Sequence, residues 1–288
     1  MHGVMLNYYL YSNIINELPN QLDDKKGISK DLLFNFANFN TTPWFYHGFH
    51  KKDKYDLYNK LNSDKFNDFY VDTLIELKKD LSYEKVLFIY GIYINHYFMN
   101  KIYAYINALK HKNTNIYEAL NMLDYYISNK YYNIDLKKTN LRMYFEDGFN
   151  YYPYMDKLIH NPLLKEFDIF LSKNYLIKCY KKKRNFYDFC TKSHFGFKRL
   201  FFKIGGVFRH NKNTKYYFYQ NKIDTYLLNI VKKEYIIDDN KYKYTFEEYL
   251  NYIKKEILKN LSDINDYIFN DKDKKLRKLF DIKNERIL

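Results

Sequence analysis

The residues of this sequence best suited to hold a catalytic metal are its eight histidines. A catalytic zinc site needs three or four His, Asp or Glu side chains that converge from different elements. His96, Asn100 and Ala104 follow one another at intervals of four residues, so a helix would place them on one face. A metal site at this spacing requires His, Asp and His, and only His96 is of the required type. The alternative for His96, which lies in the apolar stretch 86–99, is a core histidine that hydrogen-bonds to a neighbour.

Two further features bear on metal chemistry. His47 and His50 are three residues apart in a predicted loop, where they are either surface residues or part of a replacement site with His96 and Glu118. The alternative for Glu118 is a solvated helix residue. The sequence has no His-Glu-x-x-His motif and only two cysteines, too few for a Cys-based zinc site or a disulfide framework. We expect both thiols to be reduced.

The most basic part of the chain is residues 181–222. It holds twelve of the 48 Lys and Arg residues and one acid, so most of the net charge of +14 lies there. A helix over residues 197–204 would gather bulky apolar side chains on one face, which is typical of an interfacial helix on anionic lipid. Basic residues with stacking aromatics also suit single-stranded nucleic acid, and the third possibility is a solvated cationic edge. The expected contacts with a membrane or polyanion are Lys198, Arg199, Phe201, Phe202 and Lys203.

The composition indicates which elements position these residues. Hydrophobic residues make up 47% of the 288 and aromatic residues 21%, so the chain can form a sizeable core and is not disordered. Eight Gly and four Pro are too few for an all-β sandwich with frequent turns, and the sequence has no Gly-rich phosphate loop. The composition therefore predicts a protein of long helices.

Apolar periodicity predicts about eight helices and an extended segment at residues 232–244. The stretch 82–110 is the longest and most apolar, so we expect it to be the buried central helix. Thr245 and Glu248 have the spacing of a capping box at the start of the last helix. The predicted helices are residues 8–18, 31–39, 63–79, 82–110, 115–132, 141–154 (broken by Gly148 and Pro153), 162–180 and 245–261.

We expect these helices to form a single all-α domain. Its apolar stretch 86–99 is shorter than a membrane span, and no Lys or Arg precedes the N-terminal apolar run as in a secretory signal. The expected location is the cytoplasm, with peripheral contact to a membrane. The expected parts of the domain are a helical core at 1–180, a basic aromatic insert at 181–222 and a C-terminal helical part at 223–288.

Motifs scattered over most of the chain resemble those of one family. Residues 7–11 are similar to its Thr-His-Tyr-Leu-Phe opening, and residues 40–46 to its Gly-Pro-Asp-Pro-Phe-Phe-Tyr segment. Residues 59–62 resemble its Asn-Arg-Met-His run, and residues 96–104 its His-Tyr-x-x-Asp-x-x-x-His signature. This is the family of bacterial zinc-dependent phospholipase C-like proteins, all-helical relatives of the phospholipase C/D domain. Further similarities lie at Thr114 with Glu118, at residues 228–229 and at Tyr235.

The resemblance implies a fold like that of phospholipase C and nuclease P1, with a zinc site for phosphodiester hydrolysis. It also implies a degenerate site, because His96 and Glu118 are the two matching residues that still offer a metal ligand. Two ligands do not hold zinc with useful affinity, and without zinc no hydroxide of low pKa forms. We therefore expect a pseudoenzyme with no catalytic residues and no cofactor, and zinc only if the site is functional. The replaced ligand positions are Tyr8, Thr42, Asn62, Asn100, Ala104 and Thr114.

Three hypotheses for function follow. The first is a catalytically dead phospholipase C/D-like domain that acts by binding, with an anionic membrane as its partner. The second is an active metal-dependent phospholipase or phosphoesterase with a relocated site at His47, His50, His96 and Glu118. The third is a nucleic-acid-binding protein that uses the basic segment 181–222. If the resemblance holds, one metal shell would bring together His96, Asn100, Glu118, Tyr8, Thr42 and Asn62.

Overall fold

The computed structural model describes residues 3–19, 30–41, 57–111, 114–136, 139, 141–145, 152–171, 175–192, 223–270 and 279. The described residues are mostly α-helical, and their only β-structure is one two-stranded sheet. The predicted all-α fold class is therefore confirmed. It results from apolar residues that recur at the helical period in a chain with few helix-breaking Gly and Pro residues.

The helices are α1 (Val4–Ile14), α2 (Lys30–Ala37), α3 (Leu57–Lys60), α4 (Phe66–Lys79), α5 (Tyr83–Leu109), α6 (Ile116–Tyr132), α7 (Tyr152–Phe167), α8 (Tyr175–Lys192) and α9 (Phe246–Asn270). Short 3-10 helices cover Ile15–Glu17, Asn38–Thr41 and Leu141–Phe145. The strands are β1 (Tyr235–Ile237) and β2 (Asn240–Tyr242), which pair antiparallel with Tyr235 opposite Tyr242.

Helix α5 corresponds to the buried helix predicted at residues 82–110. Every residue from Val86 to Asn100 is buried, because apolar side chains surround this part of the helix instead of forming one stripe. Gly91 lets α5 approach α2 closely: a Cβ at this position would lie 2.7 Å from the backbone nitrogen of Ala37. A side chain of any size would force the two backbones apart.

Local sequence signals set the ends of several elements. In the predicted capping box of α9, the Thr245 N–H donates to Glu248 Oε2 at 2.8 Å, and the Glu248 N–H donates to Thr245 Oγ1 at 3.3 Å. Helix α6 begins after Asn115, whose side chain accepts from the Tyr117 N–H at 2.9 Å. It ends at Tyr132, and the next residue, Asn133, is left-handed with a φ of 50°.

The helix predicted at residues 141–154, with breaks at Gly148 and Pro153, is not a single element among the described residues. The structure has a 3-10 helix at Leu141–Phe145, and α7 begins only at Tyr152. Pro153 is the second residue of α7, where the N–H that proline lacks has no partner inside the helix. Proline therefore opens this helix instead of ending it.

The predicted helix 162–180 is wrong, because Pro162 lies inside α7 and does not begin a helix. The side chains of Leu158, Ile159 and Leu163 are buried on α7, and this packing outweighs the hydrogen bond that Pro162 cannot donate. Helix α7 ends at Phe167, and the next residue, Asp168, has a left-handed φ of 55°.

The extended segment predicted at residues 232–244 contains the β1–β2 hairpin. Asp238 and Asp239 form its two-residue loop with φ values of 49° and 62°. Positive φ at both loop residues matches the twist of a tight hairpin, and aspartate tolerates this conformation better than most residues. Tyr235 and Ile237 are buried, whereas Ile236 between them is exposed.

The chain divides into two compact units. The first consists of Met1–Leu10, Lys101–Met143 and Arg184–Ile253. Within it, the buried carboxylate of Asp124 caps the start of α1, accepting from the Gly3 and Leu6 N–H groups at 2.8 Å each. The Tyr105 and Tyr249 rings stack at 4.8 Å between centroids.

The second unit consists of Tyr11–Asn100, Tyr144–Lys183 and Lys254–Leu288. Within it, α4 packs against α7, and Lys165 bridges both carboxylate oxygens of Asp72 at 2.7 Å. Phe88 of α5 packs edge-on against Phe36 at 5.4 Å and Phe39 at 5.2 Å between ring centroids. Aromatic packing of this kind gives the helices a specific relative position.

Candidate functional site

His96 is a packed core residue. Its ring stacks on the Phe66 ring with 3.7 Å between centroids and 12° between planes, and the side chain is 1% exposed. The Asn100 side-chain nitrogen lies 3.2 Å from His96 Nε2. With this amide nitrogen as donor, Nε2 accepts the hydrogen bond and presents its lone pair to Asn100 and not to a metal.

Asn62 belongs to the same unit as His96 and Asn100. It lies two residues after the end of α3, is half-buried, and its N–H donates to the Asn59 carbonyl at 3.0 Å. In this unit the side chains of His96 and Asn100 contact each other. Their separation of four residues predicts that they share one helix face.

Four further sequence-predicted positions belong to the first unit. The Tyr8 ring packs against the Tyr132 ring at 5.7 Å between centroids. Ala104 is buried in α5 and has only a methyl side chain. The Thr114 N–H donates to the His111 carbonyl at 2.9 Å before α6, and Glu118 is half-buried in the first turn of α6.

The remaining predicted site residues lie outside the described part of the chain. They are Thr42, His47, His50, Lys198, Arg199, Phe201, Phe202 and Lys203.

The described residues at the predicted ligand positions do not fit a zinc ion. The His96 Nε2 faces an amide nitrogen, and Ala104 has no donor atom. Zinc ligands need a free lone pair on nitrogen, sulfur or oxygen directed at the metal. Within the ranges described above, no group of three or more His, Cys, Asp or Glu side chains has a metal-binding arrangement. The Cys179 side chain is buried.

Lys183 is a buried lysine that the sequence analysis placed incorrectly. It was counted among the cations of the basic segment 181–222. Helix α8 runs through the predicted boundary between residues 180 and 181, so the start of that segment is helical. Lys183 is fully buried and donates to Asn38 Oδ1 at 3.0 Å and to the Asn38 carbonyl at 3.3 Å. Burial lowers its pKa well below the usual value, since desolvation disfavours the charged form.

A sequence signal for this burial exists. Leu176, Cys179, Tyr180 and Lys183 recur at intervals of three and four residues, and all four are buried on α8. The Tyr180 hydroxyl also donates to the Asn35 side chain, beside the contact between Lys183 and Asn38. The stripe predicts that this lysine faces inward.

An exposed apolar surface is a second feature that the sequence did not reveal. The structure describes twelve exposed large apolar side chains, and six of them lie in residues 223–244. Ile230 and Val231 are adjacent and are 62% and 75% exposed. The other four are Ile223, Tyr226, Ile236 and Tyr244.

None of the helices in the described ranges has the length and apolar content to cross a membrane. No family model, curated protein or solved structure gives a significant match to this chain.

Proposed function

We propose that this chain is a catalytically degenerate phospholipase C/D-like helical domain, with a fold like that of phospholipase C and nuclease P1, that acts by binding to an anionic membrane surface. The observation that carries the first part is the position of His96. This residue is packed between Phe66 and Asn100, and the helix position one turn after Asn100 is Ala104. Such a face packs the protein interior and does not activate water.

The charge distribution supports the second part of the proposal. Residues 193–222 contain seven Lys and Arg and no Asp or Glu. Near an anionic bilayer each such cation contributes about 1 kcal/mol, so several together give binding that salt weakens. The apolar residues that alternate with these cations supply area that can enter the interface.

The first experiment tests the loss of catalysis. Purified protein is measured for zinc content and for hydrolysis of a chromogenic phosphocholine ester, with and without added zinc. We expect less than stoichiometric zinc and no turnover above the blank, because two ligand-type residues do not hold the metal. Zinc near one ion per chain, together with turnover that His96→Ala abolishes, would support instead a relocated site that includes His47, His50, His96 and Glu118.

The second experiment tests membrane binding. Co-sedimentation with vesicles of phosphatidylserine and phosphatidylcholine compares the wild type with a variant that carries Lys198→Glu, Arg199→Glu and Lys203→Glu. We expect the wild type to bind at low salt and the variant to bind at least a hundredfold less, since three cations become anions and each contributes about 1 kcal/mol. High salt should weaken wild-type binding.

A matched control separates local from overall charge. The exposed residues Lys157, Lys255 and Lys259 are each changed to Glu, which alters the net charge by the same amount. We expect this control to bind nearly as well as the wild type. Equal loss in both variants, or no binding by the wild type, contradicts the proposal. Displacement by a single-stranded oligonucleotide at lower concentration than by lipid would favour the nucleic-acid hypothesis.

A further inference from the structure

We infer that Ile230 and Val231, at the end of a turn that spans residues 225–231, insert into the acyl layer of an anionic membrane. Residues 225–231 are called the apolar turn below. The inference rests on the proposed function and deepens it, because it identifies a described part of the chain that enters the bilayer. It concerns the first unit alone.

The exposure of the two side chains is the first argument. Leu227, Leu228, Ile230 and Val231 form an aliphatic run interrupted by Asn229, and in sequence all four resemble core residues. The first two are buried, whereas Ile230 and Val231 are 62% and 75% exposed. A single exposed apolar residue is ordinary. Here two are adjacent, and they lie in residues 223–244, which hold six of the twelve exposed large apolar side chains that the structure describes. This clustering indicates a binding surface.

The rigidity of the apolar turn is the second argument. The Asn229 side chain donates to the Tyr244 carbonyl at 2.8 Å and to the Lys233 carbonyl at 3.0 Å, and it accepts from the Lys233 N–H at 2.9 Å. The Leu228 carbonyl accepts from the Phe246 N–H at 3.0 Å. Because these bonds already hold the turn in place, insertion requires little further ordering of the backbone.

The cations beside the turn argue for an anionic lipid surface as the occupant. Lys232 and Lys233 directly follow Val231, and both are exposed, but the charge of Lys232 is offset by its ion pair with Glu248. The Lys233 ammonium lies 4.9 Å from the centroid of the Tyr226 ring, which belongs to the apolar turn. In sequence, Lys222, the last cation of the strongly basic residues 193–222, precedes Ile230 by eight residues, a span of at most about 28 Å. Electrostatic attraction and apolar insertion therefore act on the same part of the chain.

Three acidic residues close to the apolar turn pair with lysines, whereas Asp224, directly before the turn, lies 3.9 Å from His111 Nε2. Glu248 accepts from Lys232 at 2.6 Å, and Asp238 accepts from Lys101 at 2.9 Å. Glu234 lies 3.2 Å from Lys241 and 3.8 Å from Lys243. These pairs reduce the repulsion that free carboxylates would meet at an anionic bilayer.

The test replaces apolar area without changing charge. A variant with Ile230→Gln and Val231→Gln is compared with the wild type by co-sedimentation with phosphatidylserine–phosphatidylcholine vesicles. We expect its partition coefficient to fall at least tenfold at both low and high salt, because the lost apolar burial does not depend on ionic strength. Ile75→Gln with Leu164→Gln is the matched control, since these residues are 43% and 44% exposed in the other unit, and it should bind like the wild type.

A second measurement reports insertion directly. Val231→Trp adds a tryptophan whose emission is compared with that of the wild type, which contains one Trp. We expect a blue shift with vesicles and quenching by brominated lipid. Emission from the added tryptophan that stays at the solvent value with bound vesicles overturns the inference.

The outcomes separate this inference from the proposed function. If the Gln variant binds like the wild type while the variant with Glu at 198, 199 and 203 loses binding, the apolar turn does not insert and the proposed function stands. If the wild type does not bind vesicles, both fail. If the Gln variant binds vesicles normally but sediments as a smaller species in ultracentrifugation, the surface takes a second copy of the chain and the inference is overturned.

Discussion

Replacing Gly91 by alanine should destabilise the protein, although alanine is the better helix former. Built on the backbone, the new Cβ lies 2.7 Å from the Ala37 nitrogen and 3.1 Å from the Phe36 carbonyl carbon. Both of these atoms belong to the backbone of α2, so no side-chain rotation relieves the contact. Helices α2 and α5 must therefore separate by several tenths of an ångström.

The expected magnitude follows from two opposing effects. Overpacking a well-packed core costs about 1 to 3 kcal/mol, and contact with a rigid backbone places this site at the upper end. Alanine recovers about 1 kcal/mol through its higher helix propensity. The net loss is about 2 kcal/mol, which lowers the Tm by about 3 °C for a chain of this size. Separation of the helices also loosens the packing of Phe88 on Phe36 and Phe39.

Urea denaturation followed by far-UV circular dichroism measures this difference. Asn251→Ala is the matched control, because Asn251 is exposed in α9 and gains helix propensity without a steric contact. The control should be more stable than the wild type by about half a kcal/mol. If Gly91→Ala is as stable as the wild type or more so, the close approach of α2 and α5 is not a constraint on this fold.

Two further predictions concern pH. Burial raises the pKa of the Asp156 carboxyl to about 6, and its Oδ1 has no hydrogen-bond partner among the described residues. The folded state therefore favours the protonated carboxyl. The stability that this group contributes is present below pH 4 and is lost as the pH rises through 6. Asp156→Asn should therefore match the wild type near pH 4 and exceed it by about 1 to 2 kcal/mol at pH 7, allowing for the solvent that reaches the group; equal pH profiles contradict this. Burial lowers the pKa of the Lys183 ammonium. Below the ordinary pKa of lysine, the folded state therefore binds fewer protons than the unfolded state. In that pH range the stability of the wild type rises with pH. Lys183→Met should remove this rise between pH 7 and 10, and an unchanged slope in paired urea titrations would show that Lys183 keeps its ordinary pKa.

Elements that depend on nearby residues could be predicted from the sequence. The capping box at Thr245 and Glu248 spans four residues, and both of its hydrogen bonds form. Residues 86–100 of α5 have apolar side chains around the helix, so the burial of this part follows from composition. In both cases the residues that decide the structure are close together in sequence.

Features that depend on distant partners could not be predicted. Asp124 caps α1 across 118 to 121 positions of sequence, and Lys183 meets Asn38 across 145 positions. Nothing local distinguishes Asp124 from a solvated residue. The apolar stripe on α8 indicates that Lys183 faces inward, but the sequence does not show that Asn38 is its partner. The aliphatic residues after Leu228 illustrate the reverse case, because a core-like composition ends in two exposed side chains.

The candidate metal face shows why a ligand-type residue is weak evidence for a metal. His96 shares its helix face with Asn100, as the spacing predicts, but the two side chains hydrogen-bond to each other and His96 stacks on Phe66. A histidine in this position contributes aromatic packing and satisfies one buried amide donor, and both roles are sufficient reason for it to be present.

The same contact directs the search for function to the surface. From Val86 to Asn100 every residue of α5 is buried, so a ligand could reach this part of the helix only by opening the core. Ile230 and Val231, in contrast, already present apolar area to solvent on a hydrogen-bonded turn. A binding partner can gain that area without any rearrangement of the protein, and this difference in cost is the reason that we assign function to the apolar turn and the basic segment before it.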